Sequence, residues 1–70
     1  MKVLANRVYM LRHGRRMSQQ ELARAVGCSP VTISNLEQQK LKTLTIDNLV
    51  SLARVFDVTV DYLLGRDEKH

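Results

Sequence analysis

In the run SQQELARAVGCSPVTISNLEQ, at residues 18–38, two helix starts stand eleven residues apart with a glycine between them. Ser18 and Glu21 have the spacing of a capping box, in which the hydroxyl and the carboxylate each take a backbone amide of the first turn. Ser29-Pro30 is the second start: a capping hydroxyl, then a ring whose fixed φ suits the first helical position and whose missing N–H would go unpaired there anyway. Gly27 sits where the first of these helices needs a residue that accepts positive φ. The outcome is two short helices joined by a tight turn. Neither is long enough to be stable alone. Each must bury its stripe elsewhere, Leu22, Ala23 and Val26 on one and Ile33 and Leu36 on the other.

The second of the two holds Val31-Thr32-Ile33, three β-branched residues in a row, which favour a strand. A strand would set Val31, Ile33 and Asn35 against Thr32, Ser34 and Leu36, mixing apolar with polar on both faces. A helix places Ile33 and Leu36 together. Its propensity cost is a few tenths of a kcal/mol per residue, against about 1 kcal/mol from a good cap. The helix wins.

Elsewhere, Leu4, Val8 and Leu11 recur at helical spacing and predict a first helix over about 3–13, with Gly14 as its stop. Thr45 caps a fourth helix whose expected buried stripe is Ile46, Leu49, Leu52, Ala53 and Phe56. Asp57 ends it, Thr59 caps a fifth helix, VDYLL, and Gly65 closes that; 40–44 is the longest expected loop. The expected fold is all-α, five short helices in one domain over 1–70, with its core at about 4–65 and a frayed tail at 66–70.

Seventy residues lie near the lower limit for a self-supporting core. A single cysteine, Cys28, excludes an intramolecular disulfide and a cysteine-based zinc site, and is read as a small buried thiol rather than a redox switch. No apolar run approaches the ~18 residues of a membrane span, and Met1–Arg12 is too polar for a signal peptide, so a cytoplasmic protein is expected. Residues 1–42 carry eight Lys/Arg against Glu21 and Glu37, a balance of +6, whereas 43–70 balance at −2. A basic half joined to a mildly acidic one fits a polyanion on one side and another partner on the other, or else a solvated basic surface. His13 and His70 have no second ligand at metal spacing, and no catalytic arrangement stands out. Neither an enzyme, a metal nor a cofactor is expected.

Two short helices joined by a glycine-containing turn form a helix-turn-helix. Gln19, Ala23, Gly27, Ile33, Leu36 and Glu37 stand in the register of the Cro and phage-repressor family, also called the xenobiotic-response-element family, and the chain resembles it over roughly 4–65. LARVFDVTVDYLL is similar to that family's fourth helix, turn and fifth helix. The resemblance implies a compact lambda-repressor-like five-helix domain, with Ala23 small because the third helix crosses it. The chain departs from the pattern at Arg16, Gln39 and Asp57, three places where the family often has glycine, and its loop between Glu37 and Leu49 is about one residue longer than is common.

The resemblance also implies a site. The third helix would enter the major groove of double-stranded DNA, with Pro30, Val31, Thr32 and Asn35 against bases. Asn35 can pair with the N6/N7 edge of adenine, Thr32 can donate or accept, and Val31 can pack on a thymine methyl. Gln19, Ser29, Ser34, Gln38, Lys40, Lys42 and Thr43 would meet the DNA backbone. Arg15 and Arg16 are either further phosphate neighbours or solvated loop residues; Arg7 and Arg24 are assigned to the surface. Arg12 and Glu37 match a structural ion pair that the family places beneath the DNA surface.

One such module touches few base pairs, so a homodimer on a pseudo-palindromic operator is expected. Val58, Val60, Tyr62 and Leu64 are candidates for its interface, with core packing the alternative for them and the better reading for Leu63. The implied function is a sequence-specific transcriptional regulator, a repressor. The rivals are the antitoxin of a toxin–antitoxin pair, which would also bind a toxin protein, and a helix-turn-helix used for protein contacts alone.

Overall fold

The computed structural model describes residues 2–66. Five helices follow one another: α1 (Lys2–Gly14), α2 (Gln19–Val26), α3 (Pro30–Glu37), α4 (Ile46–Phe56) and α5 (Val60–Leu64). α2 packs on α3 and α4, α1 on α3 and α5, and α4 on α5. All five contribute to one core, whose largest fully buried side chains are Phe56, Leu22, Ile33, Leu36, Leu52, Leu63 and Val8. The expected tail lies outside the described residues from 67 onward.

Four of the helix starts use a side-chain cap. Ser18 accepts from the Glu21 amide at 2.9 Å while Glu21 Oε1 accepts from the Ser18 amide at 2.8 Å, so the capping box is complete. Ser29, Thr45 and Thr59 accept from the amides of Thr32, Asn48 and Tyr62. Each cap uses one of the amides that a helix start leaves without a partner.

The helix ends share one device. The amides of Met17, Cys28, Lys40, Val58 and Arg66 donate back to the carbonyls of Arg12, Ala23, Asn35, Ala53 and Asp61, at 2.8–3.0 Å. That is the Schellman closure, and it requires the preceding residue to be left-handed. Gly27 and Gly65 occupy two of those positions, with φ of 91° and 75°. Arg16, Gln39 and Asp57 occupy the other three at φ of 56°, 62° and 55°, so the backbone keeps the turn where the side chain disfavours it. Gly14 is therefore not the stop of α1; it is the last helical residue, and the chain reverses at Arg16.

Two sequence expectations need correction, and a third residue has contacts the sequence did not suggest. Ile46 does not join the buried stripe of α4 but is 77% exposed. It is the residue next to the cap, and Leu49, a turn later, is the first apolar side chain of α4 to pack on the core. Arg7 is half-buried rather than a surface residue: Nη1 donates to the Tyr62 carbonyl, and the guanidinium lies 4.2 Å from the Tyr62 ring centre. Arg15, exposed in the loop after α1, is also tied to the end of α4. Its two terminal nitrogens donate to the carbonyls of Val55 and Phe56, both at 2.8 Å, where a cation suits the negative end of α4.

Candidate nucleic-acid interface

α3 is anchored from below and left open above. Ile33 and Leu36 are buried, each contributing about 1.5–3 kcal/mol through its loss of contact with water. Their neighbours on the other side, Pro30 and Val31, are exposed, and Thr32, Ser34 and Asn35 are half-buried. Val31 is 65% exposed, an aliphatic side chain presented to solvent near the start of the helix.

The small polar groups of this face are partly paired with one another. Ser29 Oγ and Thr32 Oγ1 lie 3.2 Å apart, which holds the Thr32 hydroxyl against the helix start. Gln38 Nε2 donates to Ser34 Oγ at 2.9 Å, one turn of helix away. Lys40, Lys42 and Thr43 follow in the segment 38–45 and are exposed, so this side carries positive charge beyond the end of α3. Arg16 and Arg24 are exposed as well.

Beneath α3 the charges are held tightly. Arg12, 7% exposed, donates from Nε to Glu37 Oε2 at 2.6 Å and from Nη2 to Glu37 Oε1 at 2.9 Å. Its Nη1 donates to the Met17 carbonyl at 2.7 Å, and Nη2 also lies 3.1 Å from His13 Nε2. Burial pushes the Glu37 carboxyl up, but hydrogen bonds from Arg12 and Gln19 and the charges of Arg12 and His13 outweigh it and hold the group below the usual carboxylate range. The bond to Glu37 raises Arg12 against the opposing effect of its burial.

Gln19, the first residue of α2, donates from Nε2 to Glu37 Oε1 at 3.1 Å. Neither this link nor the arginine contacts of Arg7 and Arg15 was legible in the sequence, because each joins residues with no spacing rule between them. Cys28 is half-buried and lines an open groove of about 310 Å³ together with Gln20, Ala23, Arg24 and Pro30. Burial pushes its thiol up, away from the thiolate form that reacts.

Val58, Val60, Tyr62 and Leu64 are half-buried and pack against the core, while Leu63 is fully buried. Among the described residues no cluster of His, Cys, Asp and Glu could hold a metal ion, and no helix is long and apolar enough to cross a membrane.

Comparison with known proteins agrees with this geometry. A helix-turn-helix family model matches residues 8–63. The P22 c2 repressor, solved in complex with a synthetic operator, superposes with a TM-score of 0.85 at 28% identity, over 96% of this chain and 100% of that one. The N-terminal DNA-binding domain of SinR from Bacillus subtilis gives 0.84 at 30% identity, over 100% and 99%. The uncharacterized HTH-type transcriptional regulator YobD of Bacillus subtilis is 36% identical over 59 residues, 84% of this chain and 52% of that protein. The chain thus spans about half the length of that curated relative. With the two-helix motif, its spacing and the five-helix frame in agreement, the chain belongs to the Cro and phage-repressor family of helix-turn-helix proteins, which are DNA-binding transcriptional regulators and not enzymes.

Proposed function

We propose that the chain binds a pseudo-palindromic operator in double-stranded DNA as a homodimer and acts as a repressor, occupying sites that a polymerase needs. The observation that carries this reading is the outer face of α3, a run of uncharged side chains fixed from beneath by Ile33, Leu36 and the Arg12–Glu37 pair. Base edges are read at close range by such groups, while charge positions the protein on the phosphates. Val31, Thr32 and Asn35, with Pro30 at the helix start, would face bases. Gln19, Ser29, Ser34, Gln38, Lys40, Lys42 and Thr43 would face the backbone. The likeness to a repressor solved on an operator supports the docking. Val58, Val60, Tyr62 and Leu64 would join two copies, bringing their third helices about 34 Å apart, one turn of duplex.

Selection from a randomised duplex pool, followed by titration at two salt concentrations, tests the proposal. The expected product is a pair of inverted half-sites one helical turn apart. Binding that is weak, indifferent to sequence and abolished by modest salt would favour a helix-turn-helix used for protein contacts. Co-purification with a toxin chain would favour an antitoxin.

A further inference from the structure

We infer that Glu37 is a positioning residue for DNA binding, acting through Gln19: its carboxylate decides which end of the Gln19 amide meets a backbone phosphate. The inference rests on the proposed contact between Gln19 and phosphate and adds the reason that contact can be made.

A glutamine amide has an acceptor end and a donor end, and only the donor end can bind a phosphate oxygen. An amide free to turn over would present the wrong end part of the time. Here Nε2 lies 3.1 Å from Glu37 Oε1. The reversed amide would set Oε1 against a carboxylate oxygen, acceptor against acceptor, where the Glu37 side chain is only 5% exposed and water is scarce. Nε2 carries two hydrogens, and Glu37 takes one. The other is left for a second acceptor.

The carboxylate can do this because it is itself held from beneath. Arg12 binds both of its oxygens, and Arg12 is in turn tied to the Met17 carbonyl. Arg12 also balances the negative charge, so that an approaching phosphate meets a neutral pair rather than a bare anion. The chain Arg12, Glu37, Gln19 thus runs from beneath α3 to the first residue of α2. It spares the amide the loss of freedom that ordering on the DNA would otherwise cost.

The test uses the duplex found by selection, with affinities for wild type, Gln19→Ala, Glu37→Gln and the double variant. Gln19→Ala should weaken binding about tenfold on every sequence alike. In the Glu37→Gln background, checked for its fold by circular dichroism, the same change should cost no more than about threefold, since the replacement side chain offers a donor as well as an acceptor and no longer selects one end of the Gln19 amide. Equal losses in the two backgrounds, or no loss from Gln19→Ala, would overturn the proposal.

Should Glu37→Gln fail to fold, the two side-chain amide protons of Gln19 in the ¹⁵N-labelled wild type decide the matter. One should stay in place when duplex is added and the other should move. Two protons that both stay put, or both move, refute it. A wild-type chain with no preferred duplex would instead sink the operator reading at the selection step, before Gln19 is altered, and the proposal would fall with it.

Discussion

Arg12 on α1 and Glu37 at the end of α3 are 25 residues apart in the chain, and their charged ends meet at 2.6 Å where the side chains are 9% and 5% exposed. The contact fixes the roll of α3 about its own axis, and with it the direction in which Val31, Thr32 and Asn35 face. Two charges so far from water gain from each other roughly what they lost by leaving it, so the pair specifies geometry more than it adds stability.

Breaking the pair should nonetheless be costly, because the remaining charge stays buried. Arg12→Ala or Glu37→Ala is expected to lower the unfolding free energy by about 3–5 kcal/mol, measured by urea denaturation. For a chain of this size that is a large part of the total. The double replacement Arg12→Leu with Glu37→Leu should be milder than either single change. A loss below about 1 kcal/mol for both single variants would mean that the pair is solvated.

The same pair sets an acid limit. The folded Glu37 carboxyl is held below its usual range, as hydrogen bonds from Arg12 and Gln19 overcome the upward push of burial. A group depressed in the folded state contributes its full stability above the unfolded value, about 4.3 for glutamate, and loses it as pH falls through the folded value. The wild-type melting temperature should therefore fall more steeply than that of Glu37→Gln as the solution is taken below about pH 4.5. Parallel acid profiles for the two proteins would remove Glu37 from this role.

Three helix ends carry a second reserve. Arg16, Gln39 and Asp57 hold left-handed backbone, which costs a residue with a side chain roughly 1–2 kcal/mol and glycine almost nothing. Part of that gain is lost to glycine's greater freedom when unfolded. Arg16→Gly and Gln39→Gly should each raise stability by about 0.5–1 kcal/mol, and Asp57→Gly by less, since aspartate tolerates this region better. Thermal unfolding of the three variants checks the order. A destabilised Gln39→Gly would show that its side chain contributes more than its backbone costs.

What was legible in the sequence follows from range. The starts of α2 to α5 were readable because a cap acts within one turn: Ser18, Ser29, Thr45 and Thr59 each take an amide three residues on. Ends were readable at Gly27, Asp57 and Gly65, residues that tolerate left-handed backbone, and misread at Gly14, because Arg16 gives no local sign of its left-handed turn. The stripe of α4 was right from Leu49 onward and wrong at Ile46, whose burial depends on what lies past the helix start and not on periodicity. Arg7 and Arg15 reach partners 55 and 40 residues away, and no spacing rule predicts that. On α3 the sequence identified which side faces outward. It did not reveal that Thr32 is tied to Ser29, or Ser34 to Gln38.

Those ties sharpen the contrast between Asn35 and Lys40. Thr32 and Ser34 already have neighbours within hydrogen-bond reach, whereas Asn35 is half-buried on the same face with a short amide that can offer both a donor and an acceptor to one base. Lys40 lies beyond the end of α3, exposed, with only a mobile point charge to offer. On the proposed docking, Asn35→Ala should cost about 1–3 kcal/mol at one base pair per half-site and relax the preference there. Lys40→Ala should weaken all duplexes alike and lower the salt dependence by about one unit of slope per monomer. Titration of both variants on the selected duplex and on single-base changes of it separates the two roles. An Asn35→Ala protein that keeps the wild-type order of preference would move base reading to Val31 and its neighbours at the start of α3.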